Sequence, residues 1–98
     1  HHQPMTTGYW MDRVMLENWR DFQSTVDRCP LVRAIVFGHI HQAFDHTRDG
    51  IRLLAAPATS CQFRPESNEF ALDDRAPGYR WFRLGDSGEF TTGVERTT

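Results

Sequence analysis

The stretch 37–42, "FGHIHQ", places His39 and His41 two residues apart, directly after a glycine and the apolar run "AIVF". A second pair, His1 and His2, stands in "HHQP". Neutral imidazoles are nitrogen donors suited to zinc, iron, manganese or nickel. In an extended segment, side chains two apart point the same way, so His39 and His41 are expected to reach one centre, or two centres a few ångströms apart. Gly38 gives the backbone freedom to turn and leaves room for close approach. Three readings follow: a histidine-rich surface loop, a structural zinc clip from His1, His39, His41 and Cys61, or the metal-holding edge of an active site. Two or three histidines do not complete a catalytic metal site, which needs three protein ligands for a single zinc and a bridging carboxylate for a pair of ions. Asp12 and Asp45 are carboxylates of the right type without convincing spacing. The remaining ligands therefore come from other polypeptide, or the site is not catalytic.

Other reactive patterns are weaker. The chain has no G-x-S-x-G elbow, no P-loop and no G-x-G-x-x-G. Cys61 with a histidine could make a thiol nucleophile, but its sequence neighbourhood carries no activating pattern. Cys29 precedes Pro30 on an apolar stripe and reads as a small buried residue. His46 reads as facing solvent.

These residues must be positioned by the elements around them. Residues 1–16 carry Pro4 and Gly8 and read as a loop leading into a short turn or helix. Asn18 is a suitable N-cap, with Asp21 in the first turn. Trp19, Phe22, Val26 and Cys29 then form one apolar stripe of an amphipathic helix, which Pro30 ends. Residues 31–37, "LVRAIVF", predict a strand buried on both faces. Strand ends of this kind are where open α/β sheets place ligands. Asp49-Gly50 predicts a hairpin turn within "FDHTRDGIRLLAAP", and Asp86-Ser87-Gly88 predicts a second one between "YRWFRL" and "EFTTGVER". Residues 58–78 read as a long irregular stretch, either a functional loop or a contact surface.

Length and composition bound the answer. The 98 residues suffice for one small domain, and 39% hydrophobic with 24% charged residues is ordinary for a globular protein. Eleven arginines, no lysine and 13 acidic residues leave no basic field for nucleic acid or an anionic membrane. No run approaches the roughly 20 apolar residues of a membrane span. Two cysteines without a secretory signal predict reduced thiols and a cytoplasmic location. Helix followed by strand is the second half of a βαβ-like unit, and the opening on "HHQP" without methionine reads as part of something longer.

"GHIHQ" after an apolar strand resembles the G-H-x-H signature of calcineurin-like metallophosphoesterases, and "HHQP" resembles that superfamily's preceding "HHxP" element. The two motifs stand at the separation the family leads one to expect, which a purification-tag remnant would have to mimic by accident. "DGIRLLAAPATSCQF", "FALDDRAPGYRWFRL" and "GYWMD" are similar to bacterial class III cyclic-nucleotide phosphodiesterases, which hydrolyse cyclic AMP. The resemblance implies an α/β (α+β) segment. It would be the C-terminal half of a four-layer α/β/β/α sandwich, with one main helix, a buried strand and two β-hairpins, and residues 1–98 would form part of a single metallophosphoesterase domain. It further implies two divalent ions (Fe, Mn or Zn), with His1 and His39 binding the second ion. His41 would bind the first and lie beside the phosphate of a small cyclic nucleotide. The implied chemistry is attack on phosphorus by a hydroxide bridging the metals. The family's D-x-H, bridging aspartate and G-N-H-D motifs are absent from this chain. The segment is therefore expected to hold no catalytic residue beyond these ligands and to be inactive alone. Gln3 stands where relatives often carry proline or histidine and reads as harmless variation. The alternative from another class is a non-catalytic interaction module whose exposed strand edges pair between copies, giving a homo-oligomer.

Overall fold

The computed structural model describes residues 1–97 as an α+β unit with one α-helix and seven strands among them. A 3-10 turn, Trp10–Val14, follows the N-terminal loop, and helix α1 spans Trp19–Asp27. Strands β1 (Ala34–Phe37), β2 (Phe44–Arg48) and β3 (Ile51–Ala55) form one sheet in the order β1-β3-β2. β1 runs parallel to β3, with Val36 opposite Leu54, and β2 runs antiparallel to it. Strands β6 (Gly78–Leu84) and β7 (Phe90–Arg96) pair along their full length as a separate hairpin.

Both hairpins form where their turn residues placed them. Asp49 and Gly50 have φ of 50° and 81°. A tight turn with positive φ at both central positions matches the right-handed twist of its flanking strands. Gly88 takes a φ of 86° in the loop between β6 and β7.

The strand expected to be buried on both faces is shorter and more open. Only Ala34–Phe37 pairs, Leu31 is 84% exposed and Val36 is 54% exposed. Alternate strand residues face opposite sides of a sheet, so Phe37 enters the core while Val36 points away from it. β3, the central strand, does bury both faces, through Leu53, Leu54 and Ala55. β1 has one strand neighbour among the described residues and is left uncovered on the Val36 side.

The helix is similarly less buried than its stripe predicts. Val26 is buried, Phe22 is 37% exposed and Cys29 is exposed, which corrects its reading as a core residue. Cys29 lies past the helix end, its thiol donating to the Thr25 carbonyl at 3.3 Å. Asn18 occupies the N-cap position without a side-chain cap bond. The helix stops before Pro30, since the residue preceding a proline avoids the helical region.

The core gathers at the end of β1 and β3, where Met11, Phe37, Ile40, Leu53 and Ala55 pack together with Trp10, Phe44 and Phe63 against them. Residues 58–78 are not wholly irregular. Gln62–Phe63 (β4) pairs antiparallel with Leu72–Asp73 (β5). The buried Gln62 amide closes a loop, accepting from the Ala58 N–H at 3.0 Å and donating to the Ala58 and Ser60 carbonyls. No helix among the described residues is long and apolar enough to cross a membrane.

Arg80 ties the β6–β7 hairpin to the three-stranded sheet. Its guanidinium donates to the Ala55 carbonyl at 3.0 Å, the Phe44 carbonyl at 3.2 Å and Thr92 Oγ1 at 3.2 Å. Arg80→Met removes three hydrogen bonds from a charged donor and is expected to lower stability by about 2 kcal/mol. Urea unfolding should show this as a lower midpoint with an unchanged slope; an unmoved midpoint would remove the role given to Arg80.

Candidate functional site

β1 delivers the chain to Gly38, and the backbone then leaves the extended region. His39 and His41 have φ of 68° and 53°. The left-handed region is uncommon for residues with a Cβ and persists where surrounding contacts over-determine it. The expected side-by-side arrangement of His39 and His41 on an extended segment is therefore not what forms. A tight turn replaces it, with the Ile40 N–H donating to the Gly38 carbonyl at 2.7 Å and Ile40 itself 1% exposed in the core. Ile40 is the anchor, and the two imidazoles emerge on either side of it with separate partners.

His39 is held through Nε2, which meets the Val14 carbonyl at 2.9 Å. A carbonyl only accepts, so this nitrogen carries the proton and the neutral ring keeps its lone pair on Nδ1. His41 is held the other way round. Its Nδ1 donates to the Cys61 carbonyl at 2.8 Å, leaving the lone pair on Nε2. The His41 ring stacks on Phe63 at 4.1 Å with 9° between planes, and the Phe63 N–H donates to the His41 carbonyl at 3.1 Å. Metal-binding histidines typically donate their second ring N–H to a carbonyl or carboxylate, which fixes tautomer and orientation. Both rings have that preparation.

"HHQP" packs against the same loop. The Gly38 N–H donates to the His1 carbonyl at 3.1 Å. A Cβ on Gly38 would lie 3.1 Å from His1 Cε1 and 3.2 Å from His1 Nδ1, closer than most Cβ contacts in proteins, so the glycine is what admits the ring. The His1 ring centroid is 5.4 Å from that of His39, and His2 is nearer still, at 4.0 Å. His1, His2 and His39 thus meet at the end of β1.

The carboxylate candidates are engaged elsewhere. Asp12 accepts from the Thr7 N–H, Thr7 Oγ1 and the Gly8 N–H at 2.6–2.9 Å. Asp45 pairs with Arg52 at 2.7 Å. Among the described residues no three His, Cys, Asp or Glu side chains are arranged to hold an ion. The closed clip from His1, His39, His41 and Cys61 is therefore not formed, and Cys61 enters the site through its backbone carbonyl while its thiol is exposed. His46 is exposed on β2, as expected. The donor chemistry nonetheless fits divalent ions: neutral imidazoles, each with one nitrogen committed to backbone and one free.

Partial burial pushes the His39 pKa below its ordinary value, and positive charge on His2 or His41 pushes the same way, while the bond to Val14 opposes them. Beside His41 opens a cavity of about 480 Å³, lined by Tyr9, Trp10, Phe63 and Arg64 among others.

Three parts of this arrangement escaped the sequence reading. The Val14 and Cys61 carbonyls carry no sequence signal, because every residue has one. His2 was legible as half of a pair, but its packing on His39 was not. Gln3, read as harmless variation, is wholly buried.

No family model matches the chain. Over 97 residues, 98% of its length, it is 46% identical to the 3',5'-cyclic adenosine monophosphate phosphodiesterase CpdA of Pseudomonas aeruginosa. Over the same share it is 43% identical to the enzyme of that name from Vibrio vulnificus, and 38% identical to a 3',5'-cyclic-nucleotide phosphodiesterase of Nostoc sp.. The chain is similar to bacterial cyclic-nucleotide phosphodiesterases. The resemblance seen in its histidine motifs therefore extends along nearly the whole segment, which spans 35–36% of the length of these curated relatives.

Nitrogen-15 NMR of the histidine rings is expected to show His39 protonated on Nε2 and His41 on Nδ1 when neutral; the reverse pattern would contradict the carbonyl contacts. On titration His39 should protonate below the ordinary histidine value of about 6.5. The unfolded chain then binds more protons around that pH, so this group favours the folded state above about pH 6.5 and loses that contribution as the pH falls toward the folded pKa.

Proposed function

We propose that this segment belongs to a longer metal-dependent enzyme that hydrolyses a phosphodiester, 3',5'-cyclic AMP before others, to AMP. Its own part is to supply histidine ligands to a dinuclear centre of iron, manganese or zinc. His1 and His39 bind one ion; His41 binds the other and lies beside the substrate phosphate. The observation that carries this reading is the opposite tethering of two neighbouring imidazoles, His39 through Nε2 and His41 through Nδ1, each to a backbone carbonyl. Identity with curated cyclic-AMP phosphodiesterases along 98% of the chain supports the substrate class.

Divalent ions in such a centre offset charge developing on the phosphoryl group and activate water near neutral pH. The chain's residues prepare the site. Val14 and Cys61 hold the two rings in one tautomer, so no reorientation is needed on binding. Gly38 lets His1 lie against the loop. Ile40 fixes the turn to the core, and the Phe63 ring keeps the His41 plane from rotating. The cavity beside His41, with the Tyr9 and Trp10 side chains in its wall, suits the nucleoside portion, since pockets of about 300–1,000 Å³ take small organic ligands and aromatic faces stack on bases. The remaining metal ligands come from polypeptide outside these residues. In that reading the β1-β3-β2 sheet and the β6–β7 hairpin form the C-terminal part of a four-layer sandwich, and further structure covers Val36 and the open edge of β1.

The open edge of β1 also favours a second reading, in which the segment is a non-catalytic module that pairs with another copy through that edge. Light scattering separates the two, because a monomer at high concentration leaves this second reading without support.

The full-length protein is expected to hydrolyse 3',5'-cyclic AMP with added Mn²⁺, Fe²⁺ or Zn²⁺ and to lose activity on chelation, while the 98-residue segment alone turns over nothing. His41→Ala or His39→Ala should reduce kcat/KM at least about a hundredfold. Full activity in chelator would end the metal-dependent reading. Tyr9→Ala should raise KM for cyclic AMP by about 5- to 100-fold without affecting bis(4-nitrophenyl) phosphate, which has no base to stack; equal effects on both substrates would take the base out of this cavity.

A further inference from the structure

Gln3 is the one residue of "HHQP" whose side chain carries hydrogen-bonding atoms and yet is shut away from solvent, at 0% exposure between exposed His2 and the buried ring of Pro4. A buried amide without hydrogen bonds is destabilising. Its Nε2 donates to the Met11 carbonyl at 2.7 Å, while its backbone carbonyl accepts from the Leu16 N–H at 3.1 Å. Gln3 therefore grips the 3-10 turn Trp10–Val14 and the residues just past it on both sides of Val14. The Val14 carbonyl is the acceptor for His39 Nε2. The circuit closes through His1, whose carbonyl accepts from the Gly38 N–H next to His39.

We infer that Gln3 is a positioning residue for His39: it locks the turn so that the Val14 carbonyl meets Nε2, and thereby decides which His39 nitrogen is left free for a ligand. The inference rests on the proposed metal site only for what binds that nitrogen. The amide's other end is informative, because Gln3 Oε1 is buried with no partner. An apolar residue of similar length would avoid that orphan acceptor, so the gain from glutamine must lie in the donor bond to Met11. Stability and positioning should consequently separate on substitution. Gln3→Met loses the Met11 bond but also removes the unpaired oxygen, and the two changes oppose each other.

The test compares wild type, Gln3→Met and Gln3→His, the last retaining a ring N–H donor. Nitrogen-15 NMR of the full-length protein without added metal should show wild-type His39 as the Nε2–H tautomer. Gln3→Met should move its ring shifts toward the averaged values of a free imidazole, and Gln3→His should restore them at least in part. In the full-length protein Gln3→Met should weaken Mn²⁺ binding about 10- to 100-fold. Unchanged His39 shifts in a folded Gln3→Met variant would overturn the inference, whatever happens to its melting temperature, because a purely structural role moves only the latter. If Gln3→Met does not fold, the wild-type side-chain amide decides: slow exchange and a proximity signal to Met11 support the assignment, and a rapidly exchanging amide refutes it. A full-length protein that binds no Mn²⁺ would count against the metal reading while leaving the tautomer comparison to judge Gln3.

Discussion

The site depends on two backbone carbonyls, each facing one nitrogen of a neighbouring imidazole. Val14 accepts from His39 Nε2 and Cys61 accepts from His41 Nδ1. Because a carbonyl has no proton to give, each contact fixes a tautomer, and because the two contacts use opposite nitrogens, the free lone pairs fall on Nδ1 of one ring and Nε2 of the other. The loop that achieves this is conformationally unfavourable. Two non-glycine residues take positive φ within three positions, and the buried Ile40 between them keeps the turn attached to the core.

Much of the remaining structure holds those carbonyls in place. The 3-10 turn supplies Val14 and is tied back to Gln3, while the short β4–β5 ribbon and the Gln62 amide shape the segment that supplies Cys61 and Phe63. Met11 and Phe63 also pack in the cluster at the end of β1 and β3, so the orienting groups and the core are one unit. The β6–β7 hairpin joins this unit through Arg80, whose guanidinium bonds carbonyls on β2 and β3, and through the Gly78 N–H, which donates to the Ala58 carbonyl, while Arg96 of β7 lines the cavity beside His41.

Sequence signals decide the structure most directly where the conformation is local. Asp49-Gly50 demands positive φ at adjacent residues and produced its turn, and the break before Pro30 appeared where a proline forbids helix. Readings that depended on what lies across space fared worse. The stripe on α1 and the run on β1 both predict deep burial, yet Phe22, Cys29 and Val36 remain open. Apolar periodicity states which face can be buried; it does not state that something covers it. The 58–78 stretch hid two strands of two residues each, too short to show alternation.

From the sequence alone follow the two histidine motifs, their order, the two hairpins that come after them and a resemblance that holds along 98% of the chain. All of these are properties of residue type and spacing. The tautomers of His39 and His41, the packing of His2 on His39, the burial of Gln3 and the commitment of Asp12 and Asp45 to other partners were settled only in three dimensions. Each depends on which side chains and backbone atoms the folded chain brings together. A hydrogen bond to such an atom is chosen by where the fold brings it, and no residue letter records that choice.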